Sequence, residues 1–305
     1  MLLGFAVPVS GSWATTANVA EVAELAEDAG YHSLWTFQRL VTAVDDDGAP
    51  ALLPQYRSVL DPLAVMAYLA GVTTRARLGV AVLNLPFAPP VVTAKSLTTI
   101  DVLSGGRLDV GFGTGWQPEE FAAAGVDMAR RGARADDYLR CLDAIWTEEV
   151  VEHHGQFYDV PRCRIEPKPV QSPRPPVLLG GMAPAALRRA GALGDGWISS
   201  SQADLDRIDE SIDVVRRAAE EAGRDAGALR FVSRGVVKVR DDGERGPLTG
   251  TIDEIRSDLA DLASKGVTET FLDLNFDPTV GSPDADPEAS MALARRVIAE
   301  LAPAA

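Results

Sequence analysis

Eight short apolar runs, each followed by a stretch with helical spacing, constrain the fold of this chain more than any other feature. The runs are LLGFAVPV (2–9), HSLWT (32–36), RLGVAVLN (77–84) and RLDVGFG (107–113), then VLLGG (177–181), GWISS (196–200), LRFVSRGVVKV (229–239) and TETFLDLNF (268–276). Between and after them lie amphipathic segments. In 15–30, Val19, Val22, Ala23 and Leu25 recur at helical intervals and Gly30 closes the segment. Asp61 stands before PLAVMAYLAGVTT as an N-cap, with proline at the first helical position. Further helical patterns fall at 89–104, 117–125, 131–148, 184–193, 203–222, 251–265 and 287–301. Apolar strands separated by helices predict a parallel sheet. Eight such units favour a closed (β/α)8 TIM-type barrel over an open sheet. At 305 residues the chain has room for one such barrel, and no composition break marks a second domain, so residues 1–305 are expected to form one unit. Two connections exceed the usual length, at 37–60 and 150–176; both are expected to be insertions that act as lids or substrate walls. The second is rich in proline and β-formers and reads as a hairpin outside the repeat.

Charge and cysteine content exclude several function classes. The formal net charge of −15 argues against nucleic acid and against an anionic membrane surface as partners. No run approaches the roughly 18 apolar residues of a membrane span. The first residues, MLLGFAVPVSGS, lack a basic region and are interrupted by Gly4 and Pro8, so they read as a strand and not a signal peptide. Cys141 and Cys163 have no metal spacing and suit free thiols in a reducing compartment. A cytoplasmic location is the expectation. No H-x-H or H-E-x-x-H is present, so no metal site is expected.

The glycines of SGGRLDVGFGTGW (104–116) raise the question of a nucleotide loop. A Rossmann fingerprint requires G-x-G-x-x-G opening a helix directly after a first strand. Here the spacing is Gly111-x-Gly113-x-Gly115 after a fourth strand, and no G-K-[ST] follows, so both the dinucleotide and the P-loop readings fail. Two readings stay open. Glycine permits a sharp turn at a crowded strand end, or bare backbone at a strand C-terminus approaches a flat cofactor at the barrel mouth. Gly180 and Gly181 pose the same choice. They end a strand just before Pro184 opens a helix, where free N–H groups suit an anion.

TIDVLSGGRLDVGFGTGW followed by EEFAAAGVD resembles the luciferase-like monooxygenase family of flavin and deazaflavin oxidoreductases. AEDAGYHSLW, the long run from DPLAVMAYLAG to LSGGR, EPKPVQSPRPPVLLGG, AGALGDGWISS and LTGTIDEIRSDLADLASKGVTETFLDL extend the likeness over most of residues 1–276. LSGGR, GTGW and GDGW are most similar to the branch that uses coenzyme F420. The resemblance implies a homodimeric barrel that holds F420, or alternatively FMN, in its C-terminal mouth and acts on a small-molecule substrate. An F420 enzyme needs no flavin reductase partner. It also implies a non-proline cis bulge at Val82, Leu83 and Asn84 under the cofactor ring. It places Gly113, Thr114 and Gly115 beside the ring or tail, and Gly180, Gly181, Met182 and Ala183 at the cofactor phosphate. Asp195, Gly196 and Trp197 are assigned to barrel closure.

The sequence departs from the family at one position. Many members carry W-x-x-x-H after the second strand, with the histidine handling protons; this chain has Arg39 there. Arginine cannot serve as a base near neutral pH, but it holds a carbonyl, carboxylate or phosphate oxygen. Arg39 is therefore expected at the cofactor tail or the substrate oxygen, against a plain structural ion pair as the other reading. Proton delivery falls to water, Tyr56 or Glu119. His153 and His154 read as a solvated loop pair. Arg234 and Asp273, on the seventh and eighth strands, are expected to pair if buried. The leading function is an F420-dependent hydride-transferring oxidoreductase. An FMN monooxygenase using O2 and an idle flavin-binding homologue are the alternatives.

Overall fold

The computed structural model describes residues 1–303. Eight parallel strands close a barrel: β1 (Leu2–Ala6), β2 (Ser33–Thr36), β3 (Arg77–Asn84), β4 (Leu108–Gly113), β7 (Val177–Gly180), β8 (Gly196–Ile198), β9 (Arg230–Val236) and β12 (Glu269–Asp273). They are the eight runs singled out in the sequence, in the order β1-β12-β9-β8-β7-β4-β3-β2. The remaining strands lie outside the barrel. β5 (Val151–His154) and β6 (Asp159–Cys163) form an antiparallel hairpin, and β10 (Lys238–Val239) pairs with β11 (Thr249–Gly250).

Helices follow the barrel strands: α1 (Thr16–Asp28), α2 (Pro62–Val72), α3 (Pro90–Ser104), α4 (Pro118–Ala123), α5 (Arg131–Thr147), α6 (Pro184–Leu193), α7 (Ile208–Glu221), α8 (Ile252–Ser264) and α9 (Pro287–Glu300). Their starts are chemically marked. The Thr15 and Asp61 side chains accept from the Asn18 and Ala64 N–H groups, and Thr251 forms a capping box with Glu254. No helix among the described residues is long and apolar enough to cross a membrane.

Two apolar layers result from strand alternation. The outer one, between strands and helices, holds Phe5, Val80, Leu83, Phe112 and the buried helix faces. The inner one fills the barrel with Ala6, Trp35, Ala81, Leu178, Ile198, Val232 and Phe271, the Trp35 and Phe271 rings stacking at 4.9 Å. Below this plug the barrel bottom is closed by charge. Asp109 pairs with Arg77 at 2.6 Å and Arg230 at 2.9 Å, and Arg230 also meets Glu269 at 2.8 Å. Burial alone would push the Asp109 carboxyl up; the two arginines outweigh it and hold it below the usual range.

The 150–176 segment is a correction to the expectation of two mouth walls. Its hairpin packs along α5: Asp137 of α5 accepts from the Phe157 and Tyr158 N–H groups and pairs with His153 at 2.9 Å. Further on, Gln171 bonds Asp101 and the Leu108 carbonyl. Polar anchors along the barrel flank thus hold the segment away from the mouth. His153 is accordingly largely buried, and only His154 is the solvated residue expected of both.

Candidate active site

β3 sets the site. Its pairing with β4 shifts register between Val80 and Leu83, and the Ala81–Val82 peptide bond is cis. The bulge thus lies one residue earlier than the expected Val82, Leu83 and Asn84. Across it Ala81 and Val82 both face the barrel interior, while Leu83 returns to the outer layer. Val82 projects into a cavity of about 230 Å³ that opens at the C-terminal mouth.

Bare backbone flanks Val82 on two sides. A Cβ on Gly113 would lie 2.7 Å from Val82 Cγ2, and one on Gly180 would lie 3.2 Å from Val82 Cγ1. These glycines let strands β4 and β7 pass close to the bulge, in keeping with the crowded-strand reading. Thr114, Gly115 and Trp116 form one rim. Gly181 and Ser199, Ser200 and Ser201 form the opposite one. Gly181 lies just before α6, which no side chain caps, and its carbonyl accepts from the Trp197 indole N–H at 2.9 Å. Met182 is half exposed beside the cavity and Ala183 is the exposed N-cap of α6; neither lines the cavity. Leu83 does not line it either. Asp195 accepts from Arg174 and the Val177 N–H, in keeping with barrel closure.

The 37–60 segment supplies the remaining wall through Phe37, Gln38, Arg39 and Tyr56, and Gln38 Oε1 accepts from the Asn84 N–H at 2.9 Å. Arg39 lines the cavity, with one terminal nitrogen engaged. Nη1 donates to Gln117 Oε1 at 2.5 Å and to Glu120 Oε2 at 2.7 Å. The guanidinium lies 4.5 Å from the Tyr56 ring centre and 5.0 Å from that of Trp116, within cation–π range of both. Glu119 is a correction. It is exposed on α4 and outside the cavity, and the carboxylate that meets Arg39 is Glu120, wholly buried. Successive residues on a helix point about 100° apart, so only one of the pair faces the barrel. Burial raises the Glu120 pKa, against the Leu40 N–H and Arg39. Arg39 Nε and Gln117 Nε2 are buried without a hydrogen-bond partner among the described residues.

Arg234 is a second cation in the cavity, and sequence reasoning gave it no role beyond a pair. Nε donates to Asp273 Oδ2 at 2.7 Å, and Nη1 donates to the Ala81 carbonyl at 3.2 Å. Its guanidinium lies 3.9 Å from the Phe276 ring centre. Asp273 also accepts from Asn275, whose side chain ties Val7 and Val9 to the end of β12. The expected Arg234–Asp273 pair is therefore present, and it braces the floor at the carbonyl preceding Val82. A charged residue on an inward strand position was the available signal; its contact with the bulge was not legible.

The cavity stands where (β/α)8 barrel enzymes carry their active sites, at the C-terminal ends of the strands. The chain belongs to the luciferase-like monooxygenase family, whose model matches residues 2–245. An uncharacterized protein of Mycobacterium tuberculosis is 33% identical over 275 residues, covering 87% of this chain and 88% of that protein. The FMNH2-dependent dimethylsulfone monooxygenase of Pseudomonas putida is 29% identical over 261 residues, 85% of this chain and 65% of that enzyme. Among solved structures, an F420-dependent secondary alcohol dehydrogenase in complex with an F420–acetone adduct has a similar fold, with a TM-score of 0.77 at 15% identity over 98% of both chains. Members of this family are oxidoreductases and monooxygenases that include F420- and FMN-dependent enzymes.

Proposed function

We propose that this protein is an F420-dependent oxidoreductase that moves a hydride between the deazaflavin and a small organic substrate. The observation that carries the reading is the cavity floor. Val82 and Ile198 offer an apolar surface, with bare backbone at Gly113 and Gly180 beside it. A flat ring fits such a floor. Gly180 and Gly181 lead to the uncapped start of α6, where a phosphate is favoured by N–H groups and the helix dipole.

When bound, the cofactor would give or take the hydride, and the protein would supply orientation and electrostatics. Arg234, held by Asp273, fixes the bulge by donating to the Ala81 carbonyl. Arg39, held by Glu120 and Gln117, presents its guanidinium at the mouth to a substrate oxygen. It polarises that oxygen but delivers no proton. Of the proton sources expected, Glu119 lies outside the cavity, which leaves the Tyr56 hydroxyl or water. Phe37, Phe276 and Trp116 shield the site from solvent on substrate binding.

FMN is the second reading, favoured by the 29% identity to an FMNH2-dependent enzyme. Anaerobic turnover separates the two. Reduced or oxidised F420 is offered with a panel of enones, ketones, alcohols and nitro compounds, and its absorbance is followed. Turnover without oxygen supports the proposal; oxygen consumption with reduced FMN alone overturns it. The expected homodimer is assigned to the outer faces of α2 and α3, where Tyr68, Val72, Val92 and Leu103 are exposed. A single-chain mass in sedimentation velocity would exclude it.

A further inference from the structure

The cavity continues beyond Arg234. A side lobe shares Ser200, Ser201 and Arg234 with the main cavity and runs toward the β10–β11 pair. Its far wall carries Lys238 and Thr249, which face each other in the register of that pair. No carboxylate lines the lobe. Arg234 is already neutralised by Asp273, at 2.7 Å. Lys238 makes no ion pair among the described residues, so its ammonium is surplus charge on a wall otherwise made of hydroxyl and apolar groups. This stands out on a chain whose formal net charge is −15. The Ser200 oxygen accepts from the Gln202 N–H at 3.1 Å, and its hydroxyl donates to the Met182 sulfur at 3.0 Å, a weak acceptor that an anion would displace. A half-buried cation with converging hydroxyls, opening from a reaction cavity, is the chemistry of an anion subsite.

We propose that this lobe binds the acid group of the substrate, a carboxylate or phosphate, while the reacting carbon lies over Val82. The substrate class is then organic acids with an oxidisable alcohol or reducible carbonyl. The proposal rests on the redox reading of the main cavity. An anion on the cofactor itself has the same chemistry, and the test separates the two sources.

The probes are inorganic phosphate, 4-oxopentanoate and its neutral methyl ester, titrated by ligand-observed NMR; F420 and FMN are titrated separately by fluorescence. In the wild-type protein both acids bind, and the ester binds about tenfold more weakly than its acid. Lys238→Gln weakens the acids about tenfold and leaves the ester and both cofactors unchanged, while Lys238→Arg retains acid binding. Failure of the acids to bind the wild type, equal binding by Lys238→Gln, or an ester as tight as its acid overturns the proposal. So does a parallel loss of F420 affinity in Lys238→Gln, which would give the lobe to the cofactor. If neither cofactor binds the wild type, the redox reading falls, while the acid titrations still decide whether the lobe takes anions.

Discussion

Replacing Arg39 with methionine keeps much of the side-chain length and removes the charge. Glu120 is then left with the Leu40 N–H, at 2.8 Å, and no cation. Its side chain has 0% exposure, and that of Arg39 only 6%, so water does not replace the lost partner. Breaking a buried pair from one side typically costs 3–5 kcal/mol, and the surviving N–H places this case near the lower end, about 3 kcal/mol at neutral pH. The sign with pH follows from protonation. Burial already raises the folded Glu120 pKa above its ordinary 4.5, and loss of Arg39 raises it further. A carboxyl raised in the folded state contributes stability at low pH and loses it as pH rises through the folded value. The deficit of Arg39→Met is therefore largest at neutral pH and shrinks on acidification. Glu120→Gln removes the stranded charge, so the double variant recovers about 2 kcal/mol of the loss. Urea unfolding of the wild type, both single variants and the double variant, at neutral and mildly acid pH, gives the coupling. Additivity within about 0.5 kcal/mol, or a deficit that does not shrink in acid, would refute the buried-pair account.

Gly113→Ala puts a Cβ 2.7 Å from Val82 Cγ2, so Val82 must shift; overpacking predicts a stability loss of about 1–3 kcal/mol and weaker cofactor binding, read by thermal melting and titration. Asp109→Asn unbalances Arg77 and Arg230 at the barrel bottom and costs about 3 kcal/mol at neutral pH. Because the folded Asp109 pKa is lowered, its contribution is present above the ordinary carboxyl value and lost as pH falls through the folded one. The gap between variant and wild type in denaturation midpoint should therefore close in strong acid. Burial pushes the Cys141 thiol up to about 11, whereas Cys163 is partly exposed. A thiol reagent at mildly alkaline pH should modify Cys163 in the native protein and reach Cys141 only on unfolding.

The barrel was legible because each strand carries its own apolar run and each helix its own cap or proline. What local sequence could not supply was the facing of side chains at irregular places. Period-two alternation fails across the β3 bulge, where Ala81 and Val82 both point inward, so Leu83 was assigned to the cavity and Ala81 was not. Glu119 and Glu120 are chemically alike, and only the rotation of α4 about its axis decides which meets Arg39. Met182 and Ala183 were placed with the glycines before them, but the chain turns outward there. The 150–176 segment looked like a wall because it is long; its anchors Asp137 and Asp101 lie on α5 and α3, distant in sequence. In each case the missing information is a tertiary contact.

The central claim is that the floor around Val82 seats a deazaflavin. Equilibrium titration of the wild-type protein and of Gly113→Val with F420 and, separately, with FMN tests it most directly, each followed by cofactor fluorescence. Saturable F420 binding to the wild type, tighter than that of FMN and abolished in a folded Gly113→Val, is the predicted result. FMN binding without F420 binding, or F420 binding that survives a side chain at Gly113, contradicts it.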